Sequence, residues 1–209
     1  MNLEPPHDVT HRQCSQRPIA PLPPEVVAQI KSSTAITSLA TAILGLVENS
    51  LDSGATQIEI AVDARRGGCT VEDDGFGILP SEFKESGGLG KPYCTSKHDT
   101  SDSVYGRHGT FLASLAALSL LTVTSHHWLH RSHNTITLHR SQVISRQSPA
   151  PRQQELGFRD HGTRVTVRDL FGSMPVRVKQ RATMLEDRGE QERHIQSLFA
   201  FEMSRAAEA

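Results

Sequence analysis

The sequence is poor in cysteine, in aromatic residues and in long apolar runs, and each shortage excludes a class of protein. The 209 residues contain three cysteines, Cys14, Cys69 and Cys94, and no Cys-x-x-Cys pair. A sparse, odd set argues against a disulfide framework or a zinc site and fits a reducing compartment. No run of about 18 apolar residues is present, so no membrane-spanning helix is expected.

Strong charge of one sign is also lacking, because the formal net charge is −1. A domain that grips nucleic acid on its own is usually more basic. Any contact with DNA is therefore expected from a local patch, such as Arg177, Lys179 and Arg181, or from another part of an assembly. For those three residues a solvated face is the more economical interpretation.

Histidine, by contrast, is abundant, with eleven residues in the chain. Four of them crowd together, at positions 126, 127, 130 and 133. Their spacing fits no clean ligand template, so we interpret them as surface or strand-end residues rather than as a metal site.

The order of periodic segments predicts one domain. Residues 1–22 are proline-rich and form a flexible lead-in, residues 23–180 form the domain, and residues 181–209 form a C-terminal helix. Period 3.6 predicts helices, period 2 predicts strands, and the glycine-rich residues 78–108 predict a functional loop or lid. Helices are expected at 25–31, 35–51, 110–120 and 183–207, and strands at 56–62, 69–72, 121–125, 135–139, 142–146 and 164–169. This pattern predicts an α+β fold, a two-layer sandwich of helices on a mostly antiparallel sheet.

Helix boundaries follow from the polar and glycine residues between these segments. Pro23 and Pro24 suit the start of the first helix. The serine–threonine run at 32–34 predicts the N-cap of the second helix, and Gly54 predicts its end.

Two polar signals about 20 residues apart indicate a nucleotide pocket. Asn49 ends a buried helix, and its amide oxygen is a suitable ligand for Mg²⁺; the alternative is an ordinary polar residue at a helix end. Asp73 ends a strand and is placed to accept the exocyclic amino group of adenine. Gly75 and Gly77 let the backbone approach the base and ribose, although an ordinary Asp-Gly turn explains the same pentapeptide.

Three further signals extend the pocket toward phosphate. Gly106 and Gly109 precede a helix whose N-terminal N–H groups favour phosphate, unless Thr110 itself caps them. Lys97 lies in the loop and is placed to support the lid or the ribose-phosphate side. Thr163, after Gly162, is placed to hydrogen-bond adenine directly or through a water, the alternative being a glycine turn before a strand.

Taken together, these motifs resemble those of the MutL family of DNA mismatch-repair proteins, within the GHKL ATPase superfamily. LVENSLDSGAT at 46–56 resembles the first ATP motif, and DDGFGI at 73–78 resembles the second. The resemblance runs from about residue 22 to residue 179. The other matching segments are 93–97, 105–109 and 113–116 for the lid and third motif, and 162–163, 169–171 and 174–177 for the fourth motif and its continuation.

The resemblance implies a GHKL (Bergerat-type) fold, ATP and Mg²⁺ as ligands, and ATP hydrolysis. It also implies a nuclear protein that does not associate with a membrane. Such a protein forms a heterodimer with another MutL homologue and contacts DNA through the full-length complex. Residues 30–39 are similar to the divergent eukaryotic branch of the MutL-gamma endonuclease. The family's second domain, with its lysine for the γ-phosphate, and its dimerisation domain are not expected here, so we anticipate a fragment, a truncated gene model or a degenerate paralogue.

Departures from the family pattern bear on turnover. The general-base glutamate of the family precedes the metal-binding asparagine by four residues, where this chain has Gly45. Glu48 remains as a catalytic candidate, but it is adjacent to Asn49, about 100° around the helix from that residue. The third motif GFRGEAL reads GRHGTFL at 106–112, with His108 and Thr110 in place of the family's arginine and glutamate.

ATP binding is therefore better supported than hydrolysis, and Gly45→Glu is expected to raise the hydrolysis rate if the rest of the pocket is intact. Two alternatives stay open at this point. One is a degenerate nucleotide-binding or interaction remnant without turnover. The other is a sensor-kinase or chaperone-type ATPase domain.

Overall fold

The structure, a computed structural model, describes residues 19–96, 109–156 and 160–185. Helices and strands follow one another in the order that the periodicity predicts, with boundaries shifted by a few residues. The helices are α1 (Pro24–Ala35), α2 (Leu39–Asp52), α3 (Phe111–Leu118) and α4 (Pro175–Leu185). The strands are β1 (Ile58–Asp63), β2 (Gly68–Asp73), β3 (Leu120–His126), β4 (His133–His139), β5 (Gln142–Gln147) and β6 (Gly162–Arg168). Short 3-10 turns occupy Pro80–Phe83 and Arg152–Gln154.

A single six-stranded sheet, in the order β1-β2-β6-β3-β4-β5, forms one layer. Every paired strand is antiparallel to its neighbour. The predicted hairpin over 56–73 is present as β1 and β2, and β6 inserts between β2 and β3. The predicted two-layer α+β sandwich is confirmed. The insertion of β6 brings its start next to the end of β2.

Helix α2 begins later than the sequence suggests. Its N-cap is Ser38, in an extended conformation, and the Ser38 hydroxyl accepts a 3.0 Å hydrogen bond from the backbone N–H of Thr41. The predicted cap at 32–34 is wrong, because those residues continue α1, where the Ser33 and Thr34 hydroxyls bond back to carbonyls one turn earlier. The predicted stop is confirmed, since Gly54 has φ of +72° just after the helix.

The core lies between the helices and one face of the sheet. Inward-facing strand residues include Val71, Val123 and Val167, each at most 1% exposed. Helices α2 and α3 cover them with Leu46 and Leu115. Burial of each aliphatic side chain contributes roughly 1.5–3 kcal/mol.

The other face of the sheet is lined with threonines that pair across strands. Their hydroxyl oxygens lie 3.2 Å apart for Thr70 and Thr166, and 2.9 Å apart for Thr124 and Thr135. These threonine hydroxyls are therefore paired across the strands, and the candidate site lies toward the helix-covered face.

Helix α4 is anchored by arginines that the sequence suggested were solvated. Arg177 donates to the carbonyl of Thr37 at 2.9 Å, and its guanidinium lies 5.1 Å from the centroid of the Phe171 ring. Arg181 donates to the carbonyl of Leu170 at 2.7 Å. Both arginines thus hold α4 against the domain, which corrects the solvated-face interpretation for these two, whereas Lys179 is exposed.

The predicted C-terminal helix at 183–207 starts too late. Helix α4 already begins at Pro175, a residue suited to the first turn of a helix, and it crosses residue 180, where the sequence placed the end of the domain. Residues 186–209 lie outside the described part of the chain.

Within the described ranges, no single helix is long and apolar enough to cross a membrane. The bent pair of α1 and α2, whose axes differ by 82°, meets the length and composition criteria only when the two are taken together.

Candidate nucleotide site

Asp73 is the centre of the candidate site, and it is held from three directions. Its Oδ1 atom accepts the backbone N–H of Gly75 at 3.0 Å and that of Thr163 at 3.2 Å. Its Oδ2 atom accepts the hydroxyl of Ser50, on α2, at 2.8 Å. The carboxylate therefore joins α2, β2 and β6 where the helix layer meets the sheet, and it is only 5% exposed.

The remaining bonding capacity of Asp73 lies on Oδ2. Each carboxylate oxygen has about two acceptor positions, so Oδ1 is filled while Oδ2 keeps one. Burial raises the pKa of Asp73, and the Asp74 charge adds slightly, whereas the hydrogen bonds from Ser50, Gly75 and Thr163 oppose the rise. Three converging donors favour the ionised acceptor form, which suits an incoming amino group.

Ser50 and Ser125 are site residues that the sequence reasoning missed. Ser50 lies on the buried stripe of α2 with Ala42, Ile43 and Leu46, and Ser125 lies on the inward face of β3. A polar residue on an otherwise apolar periodic face is the signal that marks both.

Thr163 joins the site through a hydroxyl network rather than alone. Its hydroxyl oxygen lies 2.9 Å from the Ser125 hydroxyl oxygen. Ser125 donates to the carbonyl of Gly162 at 2.8 Å and accepts the N–H of Ile78 at 2.8 Å. Because the Ser125 proton goes to Gly162, Thr163 donates to Ser125, and its own oxygen keeps acceptor capacity beside Asp73.

Asp74 has a separate structural role. It accepts the N–H groups of Thr56 and Gln57, at 2.7 and 2.8 Å, and the Thr56 hydroxyl at 2.7 Å. These hydrogen bonds, led by the one from the Thr56 hydroxyl, lower the pKa of Asp74 to about 2. The first aspartate thus joins α2, β2 and β6, whereas the second fixes the chain that enters β1.

The glycines of the motif are required by close approach within the protein itself. Gly77 has φ of +75°, and a Cβ atom there would lie 2.2 Å from the backbone oxygen of His126. A Cβ atom on Gly75 would lie 2.0 Å from Oγ of Ser53. The motif loop is therefore clamped between the end of α2 and the end of β3, where Trp128 also donates its N–H to the carbonyl of Phe76 at 3.0 Å.

We expect Gly77→Ala to destabilise the fold more than Gly54→Ala. Both glycines have a positive φ, which costs an alanine about 1–2 kcal/mol. At Gly54 the added Cβ meets only the half-exposed ring of Phe76, whereas at Gly77 it meets backbone. Urea denaturation of both variants checks this, and equal losses of unfolding free energy would contradict the clamp.

The residues that the sequence assigns to metal and phosphate lie near the end of α2 and the start of α3. Glu48 and Asn49 are half-buried on the last turns of α2. Thr110 precedes α3, and its hydroxyl makes no capping hydrogen bond, so the alternative that it caps this helix is not supported. The first N–H groups of α3 therefore have no side-chain cap from Thr110 and suit a phosphate.

Part of the predicted lid is described. Gly109 has φ of +61°, and a Cβ atom there would lie 2.4 Å from the carbonyl oxygen of Cys94, so the end of the loop packs against its earlier part. Lys97 and Gly106 lie outside the described residues, as do Arg107 and His108.

Position 45 is occupied in an unexpected way. A Cβ atom built on Gly45 would lie 2.4 Å from Cε2 and 2.5 Å from Cζ of the Phe111 ring. A side chain at position 45 therefore needs the ring to move. We therefore no longer expect Gly45→Glu alone to raise the hydrolysis rate, because the Phe111 ring fills the space for that side chain.

The histidine-rich segment is not a metal centre in the described structure. His126 and His133 stack with ring centroids 4.4 Å apart, and His126 donates from Nε2 to the carbonyl of His130 at 2.6 Å. No group of three or more histidine, cysteine, aspartate or glutamate residues suited to a metal ion occurs in the ranges that the structure describes. Burial, aided by the charge of His126, lowers the pKa of His133.

Comparison with known proteins places residues 36–163 in one ATPase family. The family described as histidine kinase-, DNA gyrase B-, and HSP90-like ATPase matches residues 36–163. The chain is 36% identical over 162 residues to mismatch repair endonuclease PMS2 of Gallus gallus, which covers 75% of the chain and 18% of that protein. It is 38% identical over 168 residues to DNA mismatch repair protein PMS1 of Arabidopsis thaliana, covering 78% and 17%. DNA mismatch repair protein MLH3 of the same plant is 35% identical over 171 residues, covering 77% and 14%.

Solved structures agree on the fold. The N-terminal domain of a DNA repair protein superposes with a TM-score of 0.64 at 26% identity, covering 85% of the chain and 48% of that structure. The MutL ATPase domain of Aquifex aeolicus in complex with ADP gives 0.53 at 23% identity, covering 77% and 52%. The chain spans less than a fifth of the length of these curated eukaryotic relatives.

Proposed function

Because the chain belongs to the histidine kinase-, DNA gyrase B- and HSP90-like ATPase family, as an N-terminal ATPase domain of the MutL mismatch-repair type, we propose that it binds ATP at the Asp73 site. The observation that supports this most directly is the remaining acceptor position of Asp73 Oδ2 in a carboxylate otherwise satisfied by Ser50, Gly75 and Thr163. A buried, fixed acceptor distinguishes adenine, which offers an amino group, from guanine, which offers a carbonyl there.

The rest of the nucleotide lies along the path from Asp73 to α3. Gly75 and Gly77 form the loop beside the base, and the N-terminus of α3 after Gly109 holds the phosphates. Lys97 and Gly106 complete the lid and phosphate loop in the proposal. Thr163 contributes its hydroxyl oxygen to the base, directly or through a water.

Asn49 fits the requirement for a metal ligand. Asn49 lies half-buried on the same turn of α2 as Ser50, and an amide oxygen is a hard ligand of the kind that Mg²⁺ takes. A bound Mg²⁺ would neutralise phosphate charge, and Asn49 would orient it.

Turnover is proposed to be very slow. Glu48 directly precedes Asn49 and lies roughly 60° around α2 from position 45, so its carboxylate does not start from the place where the family's base is expected. Loss of a positioned base lowers a rate by typically 10²–10⁴-fold without abolishing binding.

Nucleotide binding is proposed to act by promoting the association of N-terminal modules. ATP orders the lid over 78–108 and shifts the population toward N-terminal modules that pair with another MutL homologue. The complex then meets DNA in mismatch repair in the nucleus. Identities of 36%, 38% and 35% to PMS2, PMS1 and MLH3 do not single out the MutL-gamma branch as the one to which this chain belongs.

Equilibrium ATP binding measured beside single-turnover hydrolysis tests the proposal. We expect saturable, magnesium-dependent ATP binding and hydrolysis near the uncatalysed background. Absence of ATP binding would contradict the function, and rapid hydrolysis lost in Glu48→Ala would show that Glu48 is the working base. The matching relatives favour the ATPase domain over a remnant without a ligand, and over a sensor kinase or chaperone.

A further inference from the structure

Two departures from the motif pattern touch one another. Gly45 lies one helical turn before Asn49, so the two positions share a face of α2. Phe111 is the first residue of α3, and its ring fills the volume where a side chain at position 45 would begin. The ring is half-buried and packs against the core, so the core supports it in this place.

We propose that Phe111 decides whether bound ATP is hydrolysed. Its ring closes the side of the nucleotide pocket where the attacking water would lie, so this domain retains ATP rather than hydrolysing it. The inference rests on the proposed function and refines it. A small residue at 45 and a large residue at 111 form a complementary pair, in which one aromatic ring takes the space of a carboxylate.

The physical reason is volume and polarity together. A Cβ atom at position 45 would lie 2.4 Å from the Phe111 ring, so a carboxylate there, and a water held by it, would need the ring to leave the place where it packs against the core. An aromatic ring edge accepts no proton, so the pair removes both the base and its site. Restoring one partner alone therefore restores nothing.

Packing is tested first, without nucleotide, by a double-mutant cycle of Gly45→Ala, Phe111→Ala and the double variant. Alanine normally stabilises a helix interior relative to glycine. In the wild-type background, we expect Gly45→Ala to lower the melting temperature by about 2 °C or more. In the Phe111→Ala background, we expect the same substitution to leave the melting temperature unchanged or to raise it. An equal effect of Gly45→Ala in both backgrounds would overturn the proposed pairing.

Chemistry is tested by single-turnover hydrolysis in the 209-residue chain carrying Gly45→Glu and Phe111→Ala. There the introduced carboxylate takes a proton from water, the water oxygen bonds to the terminal phosphorus, and the bridging oxygen leaves with its electron pair as ADP. We expect at least about a tenfold gain over wild type, a part of the 10²–10⁴ that a positioned base supplies.

The matched control is Gly45→Gln with Phe111→Ala, which has the same shape and no base. Equal rates for the Glu and Gln variants, with ATP bound by both, would overturn the role of Phe111, as would a full gain from Gly45→Glu alone. Failure of wild type itself to bind ATP would instead overturn the proposed function, and the melting cycle would still decide the packing.

Discussion

In Asp73→Asn, the ratio of ATP affinity to GTP affinity is expected to fall by about 10- to 150-fold. The basis is the hydrogen bond between the buried carboxylate and the adenine amino group, since hydrogen bonds to charged groups contribute about 1.5–3 kcal/mol. An asparagine that keeps its oxygen on the N–H groups of Gly75 and Thr163 must turn its NH₂ toward Ser50 and the base. A donor then faces the amino group of adenine, while the same donor suits the carbonyl of guanine.

The neighbouring aspartate provides the control. Asp74→Asn makes the same chemical change one residue away, where the carboxylate bonds Thr56 and Gln57 instead of facing the pocket. It should leave the ratio of ATP to GTP affinity unchanged. Competition binding with both nucleotides measures the ratio, and full adenine preference in Asp73→Asn would refute the assignment.

Asn49→Ala is expected to remove most of the magnesium dependence of ATP binding. Wild type should bind ATP tighter in magnesium than in EDTA, because in the proposed site Asn49 would hold a Mg²⁺ that would neutralise phosphate charge. Without that oxygen the two affinities should converge, with a loss of roughly tenfold or more in magnesium if the ligand contributes as much as a charge-assisted hydrogen bond.

Asn49→Asp separates ligation from folding. It keeps an oxygen at the same place, so magnesium dependence should persist, while Asn49→Ala should lose it at an unchanged melting temperature. An ATP affinity in magnesium that is the same for wild type and Asn49→Ala would exclude Asn49 as a ligand.

Local pattern was sufficient to predict the fold class and the position of the motifs. Strict alternation at 58, 60 and 62, and apolar residues at period 3.6 before Asn49, identify the hairpin and α2 because each has one buried face. Boundaries were less predictable. The serine–threonine run at 32–34 and Ser38 are equally good caps in sequence, and only the backbone conformation at Ser38 decides between them.

Long-range contacts account for what the sequence did not predict. The Phe111 ring meets Gly45 across 66 positions of chain, and Ser50 meets Asp73 across 23, so neither pair has a local signature. The arginines of α4 looked like a charged surface, yet Arg177 reaches a carbonyl 140 residues away. Polar residues on apolar periodic faces, such as Ser50 and Ser125, are the one sequence signal that identifies such partners.

The central claim is that Asp73, fixed by Ser50, Gly75 and Thr163, selects adenine nucleotides. Calorimetric titration of the wild-type chain with ATP and with GTP, both in magnesium, tests it most directly. We expect saturable one-to-one binding of ATP and at least about tenfold weaker binding of GTP, because adenine offers an amino donor to Asp73 where guanine offers a carbonyl. Equal affinities for ATP and GTP, or no binding of either nucleotide, would contradict it.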